Sequence, residues 1–243
     1  MADQIAIVLG VGAERGLGGA LCRRAAADGY HVIVSGRTEE KLAAVADSIT
    51  TAGGRASTMV ADVTQPDQVA ALFSATDAMG GELGFVGYNA GNAFVHDPMN
   101  MPADFFEDAW RVCCLGGFLT GQEAGRRMAA QGKGSILFTG ATASVKARPR
   151  FMAFASAKAG LRSVAAALAR ELGPQGVHVA HAIIDGGIDG ERLTSRRPDA
   201  KEKMGENGLL DPDAIAESYW QVHLQHPSAW SFEIDLRPFK ETF

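Results

Sequence analysis

The stretch Gly10-Val11-Gly12-Ala13-Glu14-Arg15-Gly16-Leu17-Gly18-Gly19 decides how the chain is read. It follows the β-branched apolar run at residues 5–9, which has a strand pattern, and leads into a helical pattern over residues 18–28. Glycines in such a strand-to-helix turn let the backbone bend sharply and come close to a pyrophosphate. The helix that follows offers free N–H groups and its positive dipole end to the same phosphates. A glycine-rich turn also occurs as a plain tight connection. Its place between the first strand and the first helix of an α/β pattern makes dinucleotide binding the expectation.

Outward from that turn, short strand patterns alternate with helical ones. Strands are predicted at residues 5–9, 31–35, 56–60, 83–88, 135–139, 177–184 and 230–236. Thr38 offers an N-cap oxygen, with Glu39 and Glu40 in the dipole-favoured first turn and Leu42, Val45 and Ile49 at helical spacing. Pro66 opens a helix whose Val69, Leu72, Phe73 and Thr76 share a face. Further helices are predicted at 102–131, 151–172 and 213–224, and the polar stretch 185–211 reads as a substrate lid, a loop holding a short helix. Right-handed βαβ crossovers then place helices on both faces of a parallel sheet. The expected fold is α/β: a single doubly wound Rossmann-type domain over residues 1–243 with a seven-stranded parallel sheet. Its ligand belongs at the carboxyl ends of the strands.

Composition narrows the function classes. A chain of 243 residues with 47% hydrophobic and 21% charged content can bury a substantial core and is ordinary for a soluble globular protein. A net charge of −5 speaks against nucleic-acid or anionic-membrane partners. No apolar run approaches the roughly 20 residues a bilayer span needs. The opening MADQIAIVLG has neither a basic segment nor a cleavage pattern, so a cytoplasmic location is expected. Cys22 sits in a helical pattern and Cys113 and Cys114 are adjacent, which makes neither a disulfide framework nor a CxxC metal site. No metal is expected.

The nicotinamide cofactor is chosen by charge. An acidic residue closing the second strand would bind the ribose 2′-hydroxyl and repel a 2′-phosphate. Here that position is Gly36, followed by Arg37, with Arg15 in the glycine turn. Two guanidiniums converging on one spot suit a phosphate. NADP is therefore the expected cofactor, with NADPH preferred over NADH. The plainer reading is a pair of solvated arginines, Arg37 pairing with Glu39 or Glu40.

The spacing of Gly12, Gly16 and Gly18 resembles the short-chain dehydrogenase/reductase family, and the resemblance extends over nearly the whole chain. Asp62-Val63 looks like that family's adenine contact and Asn89-Ala90-Gly91 like the motif beneath its cofactor. Asp185 and Gly186 look like its Pro-Gly turn after the sixth strand. The resemblance thus implies cofactor contacts from Gly12, Arg15, Gly16, Leu17, Gly18, Arg37, Asp62, Val63, Asn89, Ala90, Gly91, Lys158, Asp185, Gly186 and Ile188. It also implies a homodimer or homotetramer, the alanine-rich 151–172 helix being the kind that builds a subunit interface. Val11 replaces the Thr that usually precedes the first motif glycine, and Gly190 replaces a Thr expected near the nicotinamide carboxamide.

The family's catalytic Asn, Ser, Tyr and Lys map less well. Its Tyr-x-x-x-Lys segment reads Phe154-Ala155-Ser156-Ala157-Lys158, and the Ser position, thirteen residues before Phe154, is Ala141. The Asn position, read from the following Leu-x-Gly, falls on Cys114. Lys158 alone matches, keeping the ribose-binding role. Phe has no O–H and can neither donate nor accept a proton. Stand-in hydroxyls or acids near these positions are Thr139, Thr142, Ser144, His96 and Asp185, each with a structural reading of its own. The expected function is an NADP(H)-dependent oxidoreductase acting on an unknown carbonyl or alcohol substrate with non-standard acid–base residues. The alternative is an inactive cofactor-binding protein, a sensor or partner subunit.

Overall fold

The computed structural model describes residues 3–241. Seven strands form one sheet: β1 (Gln4–Leu9), β2 (His31–Gly36), β3 (Arg55–Val60), β4 (Glu82–Tyr88), β5 (Gly134–Thr139), β6 (Val177–Ile184) and β7 (Glu233–Leu236). Their order across the sheet is β3-β2-β1-β4-β5-β6-β7, and every neighbouring pair is parallel. The order reverses between β1 and β4, so the loops leaving those two strands diverge and open a crevice at their carboxyl ends.

The helices are α1 (Leu17–Ala27), α2 (Glu39–Thr51), α3 (Pro66–Ala78), α4 (Ala103–Trp110), α5 (Gly116–Gln131), α6 (Met152–Leu172), α7 (Glu191–Thr194), α8 (Ala200–Met204) and α9 (Pro212–His223). Alternation along the strands sorts them into two layers. Ala6 and Val8 of β1 join the cluster built by Leu42 of α2, Leu21 of α1 and Trp220 of α9. Ile5, Ile7 and Leu9 face the other cluster, with Phe73 of α3, Met128 of α5 and Leu161 of α6. Strands buried on both faces read as near-continuous apolar runs, and β6 is buried along its whole length. Among the described residues, no helix is long and apolar enough to cross a membrane.

Several boundaries depart from expectation. The predicted single helix over 102–131 is α4 and α5 joined by a π turn at Arg111–Leu115. Thr38 does cap α2 by position, but its side chain makes no capping hydrogen bond. The last strand starts at Glu233 rather than at residue 230, because the Trp230 ring is stacked 4.8 Å from His178 and directs the chain into the strand. The 185–211 stretch contains two short helices, α7 and α8, instead of one. On α6, Ala153, Ala155, Ala157 and Ala165 are buried, whereas Ala159 and Ala167 are exposed and Ala166 and Ala169 half-buried.

Candidate active site and cofactor cradle

Gly10 leaves β1 with φ +83, and a Cβ there would stand 2.3 Å from the Ala90 backbone nitrogen. No other residue lets the two loops pass so closely. Asn89 binds them together, its N–H donating to the Leu9 carbonyl at 2.9 Å and its side-chain amide to the Gly10 carbonyl at 3.3 Å. Asn89-Ala90-Gly91 therefore underlies the glycine turn. Gly16 caps α1 in an extended conformation without a side-chain capping bond, and no acidic residue sits in the first turn. The orphan N–H groups and positive end of α1 thus remain available to an anion. Gly12, exposed, has nothing within 4 Å of where its Cβ would be.

The end of β2 explains the missing acid. The Val11 N–H donates to the Ser35 carbonyl at 2.9 Å, and this pins the turn against β2. A Cβ on Gly36 would then lie 2.4 Å from the Val11 carbonyl oxygen, so no carboxylate fits there. The neighbouring Arg37 is exposed, and among the described residues its side chain makes no hydrogen bond or ion pair, with Glu39 and Glu40 included. Arg15 pairs with Asp189 at 2.5 Å. Arg192, on the lid, feels the charge of Arg37. Partial burial, then the cations Arg196 and Arg37, lower its pKa.

Asp62 closes an Asx turn, its Oδ1 accepting from the Thr64 N–H at 2.9 Å and the Thr64 hydroxyl at 2.8 Å. Val63 is buried beneath Gly116, where a Cβ would come within 2.9 Å of it.

The other end of the crevice lies between β5 and α6. Phe154 and Lys158 share a face of α6, the Lys158 Nζ 5.9 Å from the Phe154 ring centre. Lys158 donates to the Thr139 carbonyl at 2.6 Å, and burial lowers its pKa. Its Nζ lies 3.2 Å from where a Gly91 Cβ would be, so it reaches under the Asn89–Gly91 turn. The cysteine facing that point is Cys113, 3.6 Å from the same position, whereas the Cys114 sulfur rests against Gly160. The i→i+5 bonding of the π turn adds a residue to this helical turn, and the side-chain register therefore differs from that of an uninterrupted helix. The Asn92 side-chain oxygen is buried there without a hydrogen-bond partner among the described residues.

Of the hydroxyls around Ala141, Thr139 accepts from Tyr219 at 3.1 Å, and Ser144 accepts the Ala141 N–H at 3.1 Å. Thr142 donates instead to Asp185, a buried carboxylate whose second oxygen lies 3.4 Å from Arg237. His96 is occupied at Nδ1 by the Asp97 carbonyl at 2.9 Å. Sequence reading missed the group behind Ser144, since its members are 37 and 52 residues apart. The Ser144 hydroxyl is 3.3 Å from His181 Nε2, and His181 Nδ1 is 3.0 Å from Glu233. Burial pushes the His181 pKa down to about 4, despite Glu233.

The lid lies on the cradle. Ile188 bridges to Leu210, the Glu191 N–H donates to the Arg15 carbonyl at 2.8 Å, and Arg192 donates to the Gly91 carbonyl at 2.7 Å. Gly186 turns the chain out of the sheet with φ +143. Gly190 packs on the glycine turn, where a Cβ would come within 2.9 Å of the Arg15 carbonyl. A cavity of about 340 Å³ at the opposite end of the sheet, lined by Tyr30, His178, His223 and Trp230, touches none of these residues.

The profile of the family described as short chain dehydrogenase matches residues 5–201. The chain is 30% identical over 176 residues to a short-chain dehydrogenase/reductase of Armillaria gallica, spanning 71% of this chain and 67% of that one. The crystal structure of a short-chain dehydrogenase from Rhodopseudomonas palustris is 36% identical, with TM-score 0.83, covering 97% of this chain and 99% of that one. A metagenomic short-chain oxidoreductase solved in complex with NADP shares the fold at 24% identity, with TM-score 0.82 and 98% of both chains covered.

Proposed function

This chain belongs to the short-chain dehydrogenase family, and on that premise we propose that it binds NADPH in preference to NADH. The same reading makes it an oxidoreductase on a carbonyl or alcohol substrate, with a proton relay of its own. One observation carries the cofactor choice: among the described residues Arg37 has no ion pair, and beside it Gly36 leaves no room for a carboxylate. The NADP in the metagenomic relative's structure supports it.

The cradle residues have distinct duties in this reading. Gly12, Gly16 and Leu17 present the turn and the α1 N-terminus to the pyrophosphate, and Arg37, with Arg192 nearby, holds the 2′-phosphate. Asp62 and Val63 border the adenine, Lys158 holds the nicotinamide ribose, and Asp185, Gly186 and Ile188 border the nicotinamide. The cofactor, when bound, supplies or accepts a hydride at its nicotinamide ring.

The proton follows Thr142 and Asp185. In alcohol oxidation the Thr142 hydroxyl takes the substrate proton while passing its own to the Asp185 carboxylate. Carbonyl reduction runs the same relay backwards from the protonated acid. The hydrogen bond between the two groups, next to Ala141, supports this route. Arg237, 3.4 Å from the second Asp185 oxygen, holds that side chain in place. A hydride-transfer assay with NADPH over a carbonyl panel tests it. Thr142→Val should lower kcat about 10²-fold while NADPH affinity holds, and an unchanged kcat contradicts the relay.

A second reading, a cofactor-binding protein without turnover, is favoured by Phe154 and Ala141 standing at the acid positions. The free Cys22, Cys113 and Cys114 support a reducing, cytoplasmic setting. The exposed Phe106, Trp110 and Phe118 on α4 and α5 support a homodimer or homotetramer built on that face.

A further inference from the structure

We infer that the substrate of this site carries an anionic group, a carboxylate or a phosphate, recognised by Arg148 and Arg150 on one wall and Arg196 and Arg197 on the other. The inference rests on the proposed function and names the substrate class for it.

The placement of unpaired charge points to it. The chain is acidic overall, with a net charge of −5. Away from the crevice most of its arginines are neutralised: Arg23, Arg24, Arg55, Arg127 and Arg162 all form ion pairs with carboxylates, whereas Arg170, among the described residues, bonds only the Ala166 carbonyl. At the crevice the pattern inverts. Lys146, Arg148, Arg150, Arg196 and Arg197 are exposed, and among the described residues their side chains make no hydrogen bond or ion pair. Two nearby acids are engaged elsewhere: Asp199 holds Lys203, and Asp97 accepts from Met99 and Asn100 while feeling Arg150 only at a distance.

Both walls are joined to one loop, residues 91–97. The lid grips its start through Arg192 on the Gly91 carbonyl at 2.7 Å. The 145–151 segment grips its end, the His96 N–H donating to the Arg150 carbonyl at 3.0 Å. Arg150 adopts φ +68, left-handed backbone that a non-glycine residue holds only when its surroundings impose it. Aromatic side chains line the same region: Phe94 and His96 against Phe105, and Phe151 against Phe154. A crevice with aromatic sides and a rim of uncompensated guanidiniums concentrates anions and orients them through charge-assisted, bidentate hydrogen bonds. The cofactor's own phosphates do not account for the 145–151 cations. That segment leaves β5, two strands across from the glycine turn that leaves β1.

The experiment begins with an NADPH titration of the whole protein. Nicotinamide fluorescence of the NADPH-saturated protein then reports binding of matched probes: levulinate against methyl levulinate, benzoylformate against its methyl ester, and dihydroxyacetone phosphate against dihydroxyacetone. The anionic member of at least one pair should bind about tenfold to a hundredfold tighter. That advantage should shrink as salt rises and should be lost in R148Q/R150Q, whose NADPH affinity stays at the wild-type value. Preference among carboxylate pairs and the phosphate pair tells the two anions apart. No anionic preference anywhere in the panel, or a preference that survives R148Q/R150Q, overturns the inference. Failure of the initial NADPH titration overturns the proposed function instead.

Discussion

At the β1–β2 end of the crevice, backbone and side chains agree. Gly10 has the positive φ its turn needs, Asn89 ties the turn to β4, Gly36 clears the strand end, and Arg37 beside it has no partner among the described residues. At the β5–α6 end the backbone is equally well formed, with Lys158 buried and bonded, yet the positions that the resemblance assigns to the proton-moving side chains hold Phe154 and Ala141. The difference teaches that the cradle and the chemistry are separable. Phe fills the volume of Tyr and leaves α6 packing intact, so losing the hydroxyl costs the fold little, whereas Gly36 cannot change without touching the strand end itself.

The largest expected effect comes from refilling the emptied end. Phe154→Tyr with Ala141→Ser should raise carbonyl reduction by NADPH about 10²–10⁴-fold. If wild type turns over and the double variant is no faster, the native relay is already complete and the contrast between the two ends dissolves. Next, Arg37→Gln should weaken NADPH binding about tenfold to a hundredfold and leave NADH unchanged, as read by equilibrium titration. An equal loss for both cofactors would place Arg37 in the scaffold rather than on the phosphate.

Gly36→Asp sharpens the comparison from the opposite side. In a roomy site it would exchange NADPH for NADH preference. Here the added Cβ meets the Val11 carbonyl oxygen, so the account expects a fall of several degrees in Tm and weaker binding of both cofactors. A stable variant that prefers NADH would show that the turn yields. The smallest effect concerns acid. Burial holds His181 and His223 at pKa values of about 4, below the ordinary 6.5. Between those values the unfolded chain binds protons that the folded one refuses, so stability falls as pH drops from 6.5 towards 4. Thermal melts across that window should show it, and His181→Gln should flatten the slope.

The sequence disclosed the β1–β2 end because its determinants are local. Glycines at a strand-to-helix turn and an absent acid at a strand end act where they stand. The reacting end was legible only as absences, since what replaces them is assembled across the chain. Thr142 meets Asp185 from 43 residues away, and His181 meets Glu233 only because β6 and β7 pair. Cys113 rather than Cys114 faces Lys158 through a π turn that helical spacing does not reveal. Arg15 pairs with Asp189 because the lid folds back over the glycine turn. A run of three arginines within 192–197 was the one visible sign that the lid carries charge.

The measurement closest to the central claim is a paired titration of the wild-type protein with NADPH and with NADH, followed by fluorescence at fixed ionic strength. The account predicts NADPH binding at least about tenfold tighter, the worth of one charge-assisted contact to the 2′-phosphate. Equal affinities, or tighter binding of NADH, would contradict it.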